Sequence, residues 1–352
     1  MPDTTICGSV SKAAGPGFCA GGTVDVSVDA GVSVAAGPGF TAGMVDVTVD
    51  APASVAMGPA SGRRVRKSWH KRLKPYLFLI PILLFSCVFV YYPFVKTFLY
   101  SFTVVNFKGQ ITGFAGLENF AYLFTFRTFG TALRNTLWLT AMFVPLNLCF
   151  SLGLALLASK KRRFGFIYEI MFSLPMAVSM AAASMIFRLL LNPSVGIVNH
   201  LLHLNIGWFE DRKWAMAGIL LVCLWMGLSF DFLLFLSALR GVPESLMEAA
   251  VLDGAGTLTK LVRIQLPLVT PTILFVVCTN IVLSMMTSGP VLIITQGGPA
   301  RSTSTLIYLM FTSGYQSSNY SQASCISIVA FLMTFVLSFL AFQFERRGVH
   351  YS

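Results

Sequence analysis

Apolar residues in this chain come in long blocks, and polar residues fill the gaps between them. The blocks run over residues 75–94, 131–158, 166–190, 215–239, 268–295 and 323–344. Each is near or above the roughly 20 residues that a helix needs to cross the hydrocarbon of a bilayer. Lipid offers no partner to backbone N–H and C=O groups, so segments of this kind must satisfy themselves as helices. The pattern therefore predicts an all-α membrane protein with six transmembrane helices. The stretch between the first two blocks, 96–130, is mixed and amphipathic. The gap after the fourth block is different: Arg240–Pro271 keeps Glu244, Glu248, Asp253, Lys260 and Arg263 together in the longest polar interruption of the apolar region. Such a loop has reason to meet something in water.

Composition agrees. The 352 residues are 55% hydrophobic and 11% charged, where soluble domains carry roughly a quarter charged residues. The net charge of +11 does not point to nucleic acid, because the basic residues form short clusters beside apolar blocks, with no basic face and no interleaved aromatics. These clusters set orientation. Arg63–Lys74, Lys160–Arg163, Arg240 with Lys260 and Arg263, and Arg346–Arg347 carry 16 Lys or Arg on one side, and the remaining membrane part carries 8 on the other. The positive-inside rule then places both termini and the Arg240–Pro271 loop in the cytoplasm. Cys87, Cys149, Cys223, Cys278 and Cys325 lie inside apolar blocks and Cys7 and Cys19 in the N-terminal region, with no disulfide or zinc spacing. The four histidines form no metal-binding motif. Paired carboxylates and nucleophile–base sets are also lacking, which argues against a membrane enzyme.

Residues 1–62 stand apart. Ser11-Lys-Ala-Ala-Gly-Pro, Ser33-Val-Ala-Ala-Gly-Pro and Ser54-Val-Ala-Met-Gly-Pro are imperfect copies, and VDVSVDA from Val24 returns as VDVTVDA from Val45. Repeats this poor in aromatics cannot bury a core. This extension reads either as a disordered tail or as upstream sequence before a true start at Met57, the second being preferred. The six-span domain is 63–352, with the polar loop at 240–267 on its cytoplasmic side.

Within the loop, Ser245–Leu252 is rich in good helix formers. Pro243 suits a helix start and Glu244 its first turn. Leu246, Ala249, Ala250 and Asp253 fall on one face, Ala249 and Ala250 leave room for a close approach, and Gly254 and Gly256 end the helix. Lys260–Leu266 returns to the bilayer and Pro267 opens the next span. In the fifth block Asn280, Ser284, Thr287 and Ser288 form a polar stripe, either pore lining or helix–helix glue, and Trp225 in the fourth offers an aromatic platform. Asp231, about two and a half helical turns before Arg240, is an intramembrane carboxylate and a functional candidate by default. Its off-centre place suggests the interface or a partner subunit rather than substrate. Arg188 is expected to snorkel.

The spacing of Glu248-Ala249-Ala250, Gly254 and then Ile264-Gln265-Leu266-Pro267 resembles the EAA loop of binding-protein-dependent ABC importer permeases. Gly116-Leu-Glu-Asn119, Asn135-Thr-Leu137, Leu174-Pro175, Asn192-Pro-Ser-Val-Gly196-Ile-Val-Asn199 and Thr295-Gln-Gly-Gly-Pro299 are similar, in order, to stretches of the carbohydrate branch. The resemblance covers residues 70–347. It implies the type I permease architecture in the bacterial plasma membrane, and import of a sugar, oligosaccharide or glycerol phosphate. It also implies that this chain has no catalytic or metal site and binds no cofactor, ATP being used by a separate ABC ATPase dimer. Glu248, Ala249, Ala250, Asp253, Gly254, Ile264, Leu266 and Pro267 would couple to that ATPase. Asn280, Ser284, Thr287 and Trp225 become substrate-path candidates, and Thr295–Pro299 either a docking point for an extracytoplasmic sugar-binding protein or a plain turn. A second homologous permease subunit is implied as partner. The rival reading, an ion-driven secondary transporter, would want charged relays near the midplane and repeats among the spans, and neither is evident.

Overall fold

The computed structural model describes residues 79–159, 165–203 and 205–346, with side chains to residue 343. The N-terminal repeats and the basic clusters at 63–74 and 160–163 lie outside the described residues. Helix α1 spans Leu79–Ser101. A hairpin follows, strands β1 (Thr103–Val105) and β2 (Ile111–Phe114) pairing antiparallel, then helix α2, Glu118–Thr125. Helix α3 runs 33 residues, Arg127–Ser159. Helices α4 (Gly165–Ala177) and α5 (Met180–Leu190) form a pair bent by 104°. Short α6 (Ile197–Leu201) precedes α7, Ala215–Arg240. The loop helix α8 is Glu244–Leu252. Helix α9 runs Thr257–Met285, α10 Leu306–Phe311 and α11 Tyr320–Arg346.

Among the described residues, five helices are long and apolar enough to cross a membrane, or six if the bent pair counts as one span. That pair corrects the third predicted block. Pro175 opens a 3-10 turn over Leu174–Ala177, and Ser179 caps a new helix by accepting a hydrogen bond from the Ala182 N–H. Proline has no N–H to continue the ladder, so the apolar pattern continues while the helix axis does not. The fifth block is also redrawn. Its helix starts at Thr257, ten residues before Pro267, and ends at Met285 rather than continuing to Thr295. Pro267 therefore sits within a continuous helix, just after a wide turn over Leu261–Gln265 in which the Leu266 N–H reaches the Leu261 carbonyl. The same device precedes Pro93 in α1, where the Tyr92 N–H reaches Cys87. A turn with one extra residue makes room for a ring that would otherwise strike the preceding carbonyl.

Three clusters form the interior. Leu139 and Phe143 of α3 meet Ile219, Leu220 and Val222 of α7 with Val291 and Ile294. Ala155 and Ala158 meet Phe232, Phe235, Leu236 and Leu239 of α7 with Val269 and Val276 of α9. Leu123, Phe129 and Ala132 meet Leu306 and Leu309 of α10 with Cys325, Ile326 and Ala330 of α11. Helices α3, α7 and α9 thus share the centre. The apolar side chains of α1 point mostly outward.

Candidate functional site

The site is built on the C-terminal end of α7. Gly241 ends that helix, its N–H reaching the carbonyls of Ser237 and Ala238. Pro243, extended at φ −57° and ψ 128°, turns the chain into α8. The sequence places this helix correctly and Glu244 in its first turn. The C-terminal end is a complete Schellman closure. The Ala255 N–H bonds to the Ala250 carbonyl at 2.8 Å and the Gly254 N–H to the Val251 carbonyl at 3.0 Å. This closure needs a left-handed residue at the first position past the cap, and Gly254 supplies it at φ +75°. A Cβ at Gly254 would meet nothing within 4 Å, so conformation and not crowding requires glycine there.

The predicted small-residue face divides. Ala250 turns inward and is buried, and Met247 packs against the α3–α7–α9 cluster. Leu246, Glu248, Ala249 and Asp253 are exposed. The inward residues seat α8 against the bundle and leave its other side open. Ile264 and Leu266 are half-buried and Pro267 is exposed. A cleft of about 820 Å³ lies beneath α8, bordered by Ala158, Phe166, Glu169, Arg240 and Gln265. Across it, the Arg240 guanidinium makes a two-pronged ion pair with the Glu169 carboxylate of α4, Nη1 to Oε2 at 3.3 Å. This link ties the root of the loop to the bent helix pair. The sequence gives no signal for it, because the two residues are 71 positions apart.

The polar stripe of the fifth block is split by the fold. Asn280 is fully buried, and its Nδ2 donates to Asp231 Oδ2 of α7 at 2.6 Å. Asn147 of α3 donates to the same oxygen at 2.5 Å. Ser284 donates to Thr140 Oγ1 of α3 at 3.0 Å. Asn280, Ser284 and Asp231 therefore join α3, α7 and α9 within the chain. In an apolar surrounding a carboxylate needs such donors. Asn147, the third member, was not singled out by sequence, since one Asn in an apolar run has no periodic signature. Thr287 lies past the end of α9, half-buried, its hydroxyl on the Leu283 carbonyl. Trp225 is half-buried with its ring edge-on to Phe187 of α5, centroids 5.6 Å apart.

The remaining motifs act as staples. Asn119 Nδ2 donates to the carbonyls of Ser101 and Thr103 and fixes the hairpin to α1. Asn135 Nδ2 donates to the carbonyls of Arg301 and Ser304, and Thr136 accepts from the Leu306 N–H. At Asn192 the side chain accepts from the N–H groups of Ser194 and Val195. A Cβ on Gly196 would lie 2.3 Å from the Asn192 carbonyl oxygen, so that turn needs glycine. In the Thr295–Pro299 turn, Gln296 and Gly297 are left-handed. Tyr308 Oη donates to the Gln296 carbonyl at 2.7 Å, and a Cβ on Gly297 would meet the Tyr308 ring at 2.7 Å.

A bundle of lipid-length helices with a short, outward-facing helix between two central spans defines the class: a multi-pass membrane protein. The family model for the binding-protein-dependent transport system inner membrane component matches residues 148–347, and the chain belongs to that family, a component of the inner membrane. The sn-glycerol-3-phosphate transport system permease protein UgpA of Yersinia enterocolitica is 33% identical over 281 residues, 79% of this chain and 95% of the relative. Its counterpart in Pectobacterium atrosepticum is 31% identical over 290 residues, covering 81% and 97%. A chain of a bacterial ABC transporter involved in the import of the acidic polysaccharide alginate shares the fold, with a TM-score of 0.70 at 22% identity, over 80% of this chain and 99% of that one.

Proposed function

We propose that this chain is the permease subunit of an ATP-driven carbohydrate or polyol-phosphate importer and that α8 is its coupling helix. The exposed, Schellman-closed helix at the EAA spacing carries this reading. Its outer residues Glu248, Ala249 and Asp253 are free to enter a cleft on a separate ATPase, and its inner residue Met247 packs on the cluster shared by α3, α7 and α9. A push on α8 reaches α7 through Gly241, and from α7 the Arg240–Glu169 pair passes it to α4. It reaches α9 through Gly254 and the helix that begins at Thr257, with Ile264, Leu266 and Pro267 at the wide turn. ATP binding and hydrolysis belong to the partner, and this chain needs no cofactor of its own.

The relatives' names point to glycerol phosphate, and the alginate importer to an acidic polysaccharide. A bacterial alginate ABC transporter was also solved in complex with an alginate pentasaccharide-bound periplasmic protein, which supports an extracytoplasmic binding protein as partner; the family resemblance adds a second permease subunit. The basic clusters place both termini and α8 in the cytoplasm by the positive-inside rule. Thr287 and Trp225, both partly open, are the better substrate-path candidates. Asn280 and Ser284 are engaged in packing in this conformation.

The test is uptake and ATP hydrolysis measured together in the assembled transporter. Glu248→Lys and Gly254→Val are expected to reach the membrane normally while hydrolysis no longer drives uptake. Normal uptake by both variants would remove α8 from the mechanism. If the chain purifies without an ATP-binding subunit and transports on an ion gradient, the ATP-driven reading is wrong.

A further inference from the structure

At the ends of α3 and α7 remote from α8 there is a cleft of about 500 Å³ that none of the roles above uses. Arg134, Arg212 and Lys213 border it, with Trp138, Trp214 and Ser302. The three cations come from two places in the chain. Arg134 sits one turn before Trp138 on the same face of α3, and Arg212 and Lys213 directly precede the first turn of α7, whose cap residue is Trp214. No ion pair is formed by any of the three among the described residues. The acid beside them, Asp211, is turned to the backbone, its Oδ1 accepting from the Lys213 N–H at 3.1 Å. Glu210 does not border the cleft.

Two further features point to a bound anion. The N-terminal end of the 26-residue α7 opens beside the cleft, and unsatisfied N–H groups there attract negative charge. Ser302 Oγ is buried with no hydrogen-bond partner, and a buried hydroxyl without a partner costs about 1–3 kcal/mol. The Ser302 segment is held in place, its neighbours Arg301 and Ser304 pinned through their carbonyls by Asn135. An anion carrying acceptor oxygens would accept the hydroxyl's hydrogen bond and meet the three cations together. Helix α3 rises about 50 Å, well beyond the roughly 30 Å hydrocarbon core. Counted back from its Ser159 end, Trp138 and Arg134 lie about 32 and 38 Å along the axis, just past the span of that core, where indoles and basic side chains gather. The cleft is within the size range of small-molecule sites.

We propose that this cleft binds the phosphate of a phosphate ester, with Arg134, Arg212 and Lys213 on its oxygens, Ser302 donating one hydrogen bond and the two indoles packing on the organic part. A phospholipid headgroup and a soluble polyol phosphate present the same chemistry. The proposal does not depend on the coupling role of α8.

The test uses the full chain, purified in a neutral detergent. Native mass spectrometry with phosphatidylglycerol against phosphatidylcholine reports lipid binding, and thermal stabilisation by glycerol phosphate against uncharged glycerol reports the soluble source. Retention of phosphatidylglycerol over phosphatidylcholine, lost at least fivefold in Arg212→Gln/Lys213→Gln and reduced in Ser302→Ala, supports a lipid headgroup. Stabilisation by glycerol phosphate with the same variant pattern supports a soluble ester. Arg188→Gln, an unrelated basic position, should leave either signal unchanged. If the double variant unfolds, Arg134→Gln and Ser302→Ala carry the comparison singly. No preference for either phosphate ester, or a preference that Arg188→Gln weakens as much as the cleft variants do, overturns the proposal.

Discussion

At the residue scale, the decisive positions are those where only one side chain suits the backbone. Gly254 is held at φ +75° by the closure of α8. A left-handed conformation costs an ordinary residue about 1–2 kcal/mol, and asparagine tolerates it best. Gly254→Asn is therefore expected to retain most uptake and Gly254→Val to lose it, read as the ratio of transport to ATP hydrolysis. Equal behaviour of the two would mean that the φ value is not what matters. Gly218 shows the other cause. A Cβ there would lie 2.5 Å from the Phe209 ring, so Gly218→Ala should unseat Phe209 and lower the thermal midpoint, and Phe209→Ala in the same chain should relieve that clash. Sequence reading marked Gly254 through its family spacing, but Gly218 is one small residue in an apolar helix and its need is visible only when Phe209 is folded back onto it.

At the element scale, the polar residues of α3, α7 and α9 act as a clasp. Asp231 receives amide donors from both Asn147 and Asn280 on one oxygen. Removing one donor leaves a buried acceptor short, at about 1–3 kcal/mol, more if the carboxylate is charged. Asn280→Ala is expected to lower the thermal midpoint of the solubilised protein clearly while leaving the substrate KM of surviving transporters unchanged. A changed KM with unchanged stability would return Asn280 to the transport path. The stripe of Asn280, Ser284, Thr287 and Ser288 was legible in the sequence as a stripe. Its division was not, because the helix stops at Met285 and because Thr140, Asn147 and Asp231 come from other elements. The Arg240–Glu169 pair is a similar tie between elements. Half exposed, such pairs contribute about 1 kcal/mol or less, so its expected effect is on coupling. Arg240→Glu should impair uptake, and adding Glu169→Arg should restore part of it.

At the scale of the whole molecule, the outward apolar face of α1, with Leu83, Phe85 and Phe89 exposed, fits lipid or another subunit as its cover. Orientation can be read directly. Leu252→Cys, in the exposed last turn of α8, and Phe107→Cys, in the exposed hairpin turn, lie at opposite ends of the bundle in the proposed topology. An impermeant maleimide is expected to reach position 107 in spheroplasts and position 252 only in inverted vesicles. Labelling of both from one side would overturn the topology drawn from the basic clusters.

Residue order alone specifies the medium, the class and the loop. Apolar blocks of bilayer length specify helices because lipid leaves the backbone no other partner. The fixed spacing from Glu248 to Pro267 identifies the family, because that spacing reflects one helix, one closure and one return to the bilayer. Tertiary structure decided what depends on neighbours distant in sequence. It bent the third block at Pro175, drew α9 out to Thr257 and turned Ala250 inward. It converted Asn280 and Ser284 into packing bonds, and it brought Arg134 of α3 beside Arg212 and Lys213 at the start of α7. Hydropathy records which residues avoid water, and it is blind to which of them meet each other.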